Sequence, residues 1–175
     1  MIIELLKYTC IELDKKNIEY MLSGSVAMNL YATPRMTRDI DIVINLKKED
    51  TEKFLSVFSG HYYFNPDTIA TEIEKGGMFN ILDKETGYKI DFMIKKNSPF
   101  RQTEFDRKQR IKVFDFEAWV VSVEDLIISK LIWTQTHVSE RQIQDARNLL
   151  VSRKMDTAYI QKWCKAMKLE TFNLL

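Results

Sequence analysis

The sequence has few of the residues that build disulfide frameworks and zinc sites. Of its 175 residues, two are cysteines and two are histidines. The cysteines, Cys10 and Cys164, lie far apart, and no CxxC pair is present. This scarcity excludes a disulfide-stapled scaffold and leaves a zinc site without its usual ligands. We therefore expect a protein of a reducing compartment, the cytoplasm.

Other features are also scarce. With 5 glycines, 3 prolines and 29% charged residues, the composition is neither fibrous nor disordered. No apolar run approaches the roughly 20 residues that span a membrane. The first sixteen residues, MIIELLKYTCIELDKK, carry charges at helical spacing and predict an amphipathic helix, not a signal peptide. The length suits one well-cored domain.

The net charge of +1 conceals one basic stretch. Between Lys84 and Lys112 there are nine basic and four acidic residues. Such a stretch can bind a polyanion or form an ordinary solvated face. Because it flanks Asp91 in sequence, we expect it to border any site built on that residue.

Hydrophobic periodicity predicts an α/β (α+β) fold with a mixed sheet flanked by helices. Residues 1–121 form the predicted core. Its expected strands are Ile18 to Leu22, Arg38 to Ile44, Met78 to Leu82, Tyr88 to Lys95 and two stretches within 111–122; its expected helices include Val26 to Tyr31, Lys48 to Phe58 and Asp67 to Lys75. Residues 122–175 form a predicted C-terminal helical portion packed on this core, with Ser122, Ser139 and Asp156 as N-caps.

The stretch RDIDIVI places two aspartates in a predicted strand, where aspartate is disfavoured. Strand geometry puts Asp39 and Asp41 on one face, roughly 7 Å apart at Cα, while the isoleucines point to the other face. Two like charges so placed repel each other. The strand therefore requires a compensating group from elsewhere.

The stretch KIDFMI repeats this pattern with Asp91. If the two strands are neighbours with their apolar faces on one core, three carboxylates converge. Carboxylate oxygens suit Mg²⁺ or Mn²⁺, so Asp39, Asp41 and Asp91 are candidate metal ligands and catalytic residues. The alternative is that each of the three aspartates lies on a solvent-facing side of its strand and binds no metal.

The turn SGS precedes a predicted helix, where free backbone N–H groups and the helix dipole favour an anion. Gly24 permits close approach of the main chain, and Ser25 adds a hydroxyl. By itself this pattern is usually only a turn with an N-cap.

Together, LSGSVAMNLYATPRMTRDIDIVI resembles the signature of the nucleotidyltransferase superfamily that shares its fold with DNA polymerase β. Gly24 and Ser25 match its phosphate-holding turn, and the three aspartates match its metal-binding acids. The R-x-T-x-D-I-D spacing, the later VSVEDLIISKLIW and RQIQDARNLL are similar to small bacterial members, including abortive-infection toxins. Ala32 departs from the pattern, since many members have glycine there.

The resemblance implies a metal-dependent transfer of a nucleoside monophosphate from an NTP, for example ATP, to an acceptor hydroxyl. The toxin-type members imply an RNA or tRNA acceptor and an antitoxin-type protein partner. The alternative is a non-catalytic module that keeps the fold to bind nucleotide, RNA or protein. The three carboxylates favour the enzyme.

Three further side chains are candidates for nucleotide binding or its support. Lys130 falls within an apolar helical arc and needs a partner, which is either the triphosphate or an aspartate, unless it snorkels to solvent. Arg35 is a candidate phosphate contact, whereas Arg38 is expected to be surface charge. Asp145 lies opposite the apolar face of its predicted helix, which predicts exposure, and only the resemblance recommends it.

Overall fold

A single seven-stranded mixed sheet forms the centre of the protein. A computed structural model describes residues 2–136, 138–152 and 154–175. The strands are β1 (Tyr20–Leu22), β2 (Asp39–Ile44), β3 (Tyr62–Tyr63), β4 (Met78–Asp83), β5 (Lys89–Ile94), β6 (Gln109–Val113) and β7 (Phe116–Val120). Their spatial order is β3-β4-β5-β2-β1-β7-β6, which places β2 at the centre. The mixed α/β fold predicted from the sequence is confirmed.

Eight α-helices surround this sheet in the described part of the chain. They are α1 (Ile2–Lys15), α2 (Gly24–Tyr31), α3 (Thr51–Leu55), α4 (Pro66–Lys75), α5 (Pro99–Asp106), α6 (Val123–Thr136), α7 (Glu140–Ser152) and α8 (Thr157–Ala166). The predicted helix from Lys48 to Phe58 is instead a 3-10 turn, Lys48–Asp50, followed by the short α3. None of these helices combines the length and apolar character needed to cross a bilayer.

The central strands alternate as their sequence requires. In β2 and β5 the apolar residues Ile40, Ile42, Ile90 and Phe92 are fully buried, while the intervening acids face the other side. Phe54 of α3 packs its ring against Phe92 at 5.1 Å, so the buried face is covered by helices from residues 1–121. The carboxylate face is thereby left for α2 and the later helices.

Local capping follows the sequence signals. The hydroxyl of Ser122 accepts from the backbone N–H of Asp125, and Asp156 accepts from Tyr159 at 2.9 Å. Ser139 accepts from the Gln142 N–H at 3.4 Å. Gly76 ends α4 in the left-handed conformation, with φ 65°. These caps fix where the C-terminal helices begin and where α4 ends.

The last three helices share one hydrophobic core with the sheet. Leu126, Leu149 and Ile160, from α6, α7 and α8, belong to the same buried cluster as Ile42 and Phe92. Helix α6 contacts α2, α7 and α8. The helical portion therefore lies directly against α2, the helix that follows the SGS turn.

Candidate active site

The parallel pairing of β2 and β5 brings the three strand aspartates together. Asp41 lies directly opposite Asp91, and Asp39 lies opposite Lys89. Because side chains at paired positions point to the same face, all three carboxylates lie on one side of the sheet. Asp39 is exposed, whereas Asp41 and Asp91 are half-buried.

The turn between β1 and α2 packs directly on Asp41. The Ser23 N–H donates to the Asp41 carbonyl at 2.9 Å, and the Ser25 N–H donates to Asp41 Oδ2 at 3.3 Å. Gly24 has φ +57°, and a Cβ atom there would lie 2.0 Å from Asp41 Oδ2. Only glycine satisfies both the backbone angle and this close approach. The predicted Gly-Ser turn and the predicted acid pair thus form one cluster.

The electrostatics of this cluster favour a cation. Burial raises the pKa of Asp41, and the nearby charges of Asp91 and Asp39 raise it further, although the Ser25 N–H opposes this shift. An acid held among other acids is stabilised by a positive charge.

In the structure, Lys89 supplies a positive charge to Asp91 and Asp39, and Lys130 lowers the pKa of Asp41. The Lys89 Nζ lies 2.8 Å from Asp91 Oδ2 and 3.8 Å from Asp39 Oδ1. Across residues 2–136, 138–152 and 154–175, no group of three or more His, Cys, Asp and Glu side chains is arranged to hold a metal ion. The three predicted metal ligands are therefore neighbours on the sheet, and the Lys89 ammonium contacts two of them, Asp39 and Asp91.

A second cluster lies beside the first and is centred on Asp145. Lys130 Nζ lies 2.8 Å from Asp145 Oδ2 and 3.0 Å from Gln142 Oε1. Arg35 donates to both oxygens of the same carboxylate, at 3.0 and 2.7 Å. Burial opposes ionisation of Asp145, but Arg35 and Lys130 outweigh it and lower the pKa of this carboxyl.

This second cluster corrects the expected exposure of Asp145. Asp145 is 2% exposed, although it lies opposite the apolar face of an isolated α7. The reason is tertiary, because α7 packs against both α6 and α2 and turns its polar side towards Lys130 and Arg35. Of the partners predicted for Lys130, the structure contains the aspartate, and that aspartate is Asp145. Burial lowers the pKa of the Lys130 ammonium, and Asp145 opposes that shift.

Arg35 joins the two clusters. Its Nη2 donates to Ser25 Oγ at 2.8 Å while its fork holds Asp145. The Asn29 side chain accepts from the Arg35 N–H at 3.0 Å and donates to the Arg35 carbonyl at 2.8 Å. Sequence reasoning missed Asn29 and Lys89. The sequence pattern could have indicated Lys89, because K-I-D in β5 has the same spacing as D-I-D in β2. No sequence pattern indicates Asn29. Arg38 is exposed, as expected.

The basic stretch does not border this site as a unit, which corrects the expectation from sequence. Arg110 lies in β6, the edge strand three places from β2, and pairs with Asp14 at 3.0 Å and Glu117 at 3.4 Å. Lys108 lies 3.7 Å from Glu19 and over the rings of Phe105 and Trp119. Within this stretch, Lys89 is the residue that forms ion pairs with the strand carboxylates, because the chain leaves β5 and returns at the far edge of the sheet.

Comparison with solved structures identifies the fold. Two structures of the antibiotic-resistance factor ANT(2'')-Ia match with TM-score 0.61 at 12% identity. They cover 94% of this chain and 90% and 95% of theirs; one is a complex with adenylyl-2''-tobramycin. The lincosamide antibiotic adenylyltransferase LnuA, with lincomycin bound, matches with TM-score 0.53 at 14% identity over 85% of this chain and 96% of its own.

A third match is the protein TM1012 from Thermotoga maritima, with TM-score 0.54 at 13% identity over 94% of this chain and 92% of that one. No protein-family model matches the sequence, and no curated protein matches it. The shared architecture covers nearly the whole chain, at identities that establish fold and not activity. The chain has the nucleotidyltransferase fold.

Proposed function

We propose that this protein transfers a nucleoside monophosphate from an NTP to an acceptor hydroxyl and releases pyrophosphate. One observation carries the proposal: Asp41 and Asp91 face each other across paired strands, with the Gly24–Ser25 turn in contact with Asp41. This combination joins hard oxygen ligands to a turn with backbone N–H groups at a helix start. Both are requirements of phosphoryl-group chemistry at a nucleotide.

The chemistry of the donor atoms suits Mg²⁺ or Mn²⁺, although in this structure two of the carboxylates face Lys89. Asp39, Asp41 and Asp91 supply only oxygen ligands, and their mutual repulsion is the kind of crowding that a divalent cation relieves. A bound divalent ion would neutralise charge on the transferring phosphate and orient the reacting oxygens.

The remaining roles belong to the chain itself. The Gly24–Ser25 turn holds the β and γ phosphates, and Arg35, bonded to Ser25 Oγ, extends that contact. Lys130 binds Asp145 and so holds in position the carboxylate that orients Arg35. Asp91 accepts the proton of the acceptor hydroxyl, whose oxygen forms a bond to the α-phosphorus as the bond to the pyrophosphate oxygen breaks.

For the acceptor, we favour a small hydroxyl compound over RNA. On its β4 side, away from Asp41, the sheet surface next to Asp91 carries uncharged side chains: Asn80 is paired with Asp91, and the next row holds Met78, which is 52% exposed, and Met93. Within the basic stretch that is able to bind a polyanion, Lys108 pairs with Glu19 and Arg110 pairs with Asp14, away from the carboxylates. The adenylyltransferase LnuA and the antibiotic-resistance factor ANT(2'')-Ia, which was solved with adenylyl-2''-tobramycin, share the fold, and this supports ATP as the first donor to test.

The experiment is transfer of label from each α-³²P-NTP with Mg²⁺ or Mn²⁺, with total RNA and a panel of small hydroxyl compounds as separate acceptors. We expect label on a small acceptor and pyrophosphate release, both abolished in Asp91→Asn and in Asp41→Asn. Label on tRNA would instead support the toxin-type role and its protein partner. Nucleotide binding without any transfer would support the non-catalytic module.

A further inference from the structure

Lys89 occupies a position that the strand register dictates. β2 reads Asp-Ile-Asp-Ile and β5 reads Lys-Ile-Asp-Phe, and their parallel pairing sets Lys89 beside Asp39 and Asp91 beside Asp41. The four charged residues therefore form a block on one face, with three negative charges and one positive charge. Shifting either strand by one residue would turn its charged set into the core, so the ammonium cannot leave this block by slippage.

The contacts of Lys89 distinguish it from an ordinary surface lysine. Its Nζ lies 2.8 Å from Asp91 Oδ2 and 3.8 Å from Asp39 Oδ1, and its side chain is 38% exposed. In the described part of the chain, Lys89 makes every ion pair found for these two aspartates. It stands where the oxygens of two strands converge.

We propose that Lys89 is a built-in counter-ion that competes with the divalent cation for the carboxylates and thereby sets the affinity of the metal site. This inference rests on the metal dependence of the proposed function. An ammonium and a divalent ion both require the outward oxygens of Asp39 and Asp91, and their charges repel at such short separation. Metal binding must therefore displace the ammonium, and that displacement weakens binding. In return, Lys89 relieves carboxylate repulsion when the metal is absent.

The test measures Mn²⁺ binding directly, by calorimetry or by the loss of the free-ion signal in electron paramagnetic resonance, without nucleotide. Lys89→Met keeps the length and apolar stem of the side chain but removes the charge. We expect it to bind Mn²⁺ about two- to fivefold more tightly than the wild type, the range for losing a partly exposed ion pair. Lys89→Arg retains a positive charge and should stay within about twofold of the wild type.

Lys84→Met is the matched control, because Lys84 lies exposed in the β4–β5 turn and its loss changes the net charge equally. It should leave Mn²⁺ affinity unchanged. Thermal unfolding gives a second reading: without metal, Lys89→Met should melt below the wild type, and saturating Mn²⁺ should raise its melting temperature by more than that of the wild type.

The outcomes separate this inference from the proposed function. If the wild type binds Mn²⁺ but Lys89→Met binds it equally or more weakly, the counter-ion role is wrong and the metal site stands. If neither protein binds Mn²⁺, the metal-dependent function is wrong together with the inference. Should Lys89→Met not fold, Lys89→Gln provides the same neutral test with a polar tip.

Discussion

Lys130 and Asp145, on different helices, form an ion pair of 2.8 Å in which both side chains are almost completely buried. Asp145 also holds the guanidinium of Arg35, so one carboxylate serves two cations. Arg35 in turn contacts Ser25. The pair therefore connects the C-terminal helices to the turn that faces the strand carboxylates.

Replacing Asp145 should destabilise the protein strongly. In Asp145→Asn, Lys130 keeps a buried charge without its ionic partner, which typically costs about 3–5 kcal/mol in the free energy of unfolding. Denaturant unfolding measures the loss. Because the pKa of Asp145 is lowered in the folded state, its stabilisation is present above about pH 4 and is lost as the pH falls, so the difference from wild type should shrink in acid. Glu140→Gln, an exposed change in the same helix, is the control and should be nearly neutral.

The phosphate contact should depend on Arg35 more than on Lys130. The Lys130 ammonium already has two partners and is nearly inaccessible, whereas the Arg35 side chain is 24% exposed and touches Ser25. We expect Arg35→Met to raise the dissociation constant for NTP about tenfold, as befits loss of a charge-assisted contact. Lys130→Met should act mainly on stability. Equilibrium nucleotide binding checks this, and a larger effect from Lys130→Met would reverse the assignment.

Gly24 should tolerate no side chain. Gly24→Ala combines a left-handed backbone angle with a Cβ placed 2.0 Å from Asp41 Oδ2, so it should displace the turn and abolish transfer. Gly60→Ala is a matched control, because Gly60 has φ +79° and nothing within 4 Å of its added Cβ. It should cost only the backbone strain, about 1 kcal/mol. The melting temperature and the activity of Gly24→Ala and Gly60→Ala are compared with those of the wild type. Equal effects of the two substitutions would show that the Asp41 side chain moves away from the added methyl group.

Arg110 should matter for stability and not for transfer. Arg110→Glu places like charges beside Asp14 and Glu117 at the edge of the sheet, and should lower the free energy of unfolding by about 1 kcal/mol. The Michaelis constants for NTP and acceptor should be unchanged, because β6 lies three strands from β2. An increased constant for RNA alone would restore the basic stretch as a nucleic-acid surface.

Glu104 should give a pH dependence of the opposite sign to that of Asp145. Burial raises the pKa of Glu104, although Arg101 at 2.7 Å and Ser129 oppose the shift. Its contribution to stability is present at low pH and is lost as the pH rises. The stability of Glu104→Gln relative to wild type should therefore increase from about pH 4 to neutrality, measured by denaturant unfolding. If the difference in the free energy of unfolding between Glu104→Gln and the wild type does not change with pH, Arg101 fully offsets the effect of burial on Glu104.

Local patterns predicted much of this architecture. The alternation in RDIDIVI and KIDFMI gave both central strands, and the cap residues Ser122, Ser139 and Asp156 marked the starts of the last helices. These signals work because each depends on neighbours within a few residues. The predicted Lys48 to Phe58 helix failed at both ends, where a 3-10 turn precedes α3 and turns follow it after Leu55.

By itself the sequence determined that Asp39 and Asp41 share one strand face, that Asp91 repeats their pattern, and that a Gly-Ser turn precedes the next helix. The tertiary structure decided the rest. Strand register set Asp91 opposite Asp41 and Lys89 opposite Asp39, and the packing of α7 on α6 and α2 buried Asp145. Periodicity assigns a residue to a face of its own element, but which element covers that face depends on contacts between residues distant in the chain, and these have no local signature.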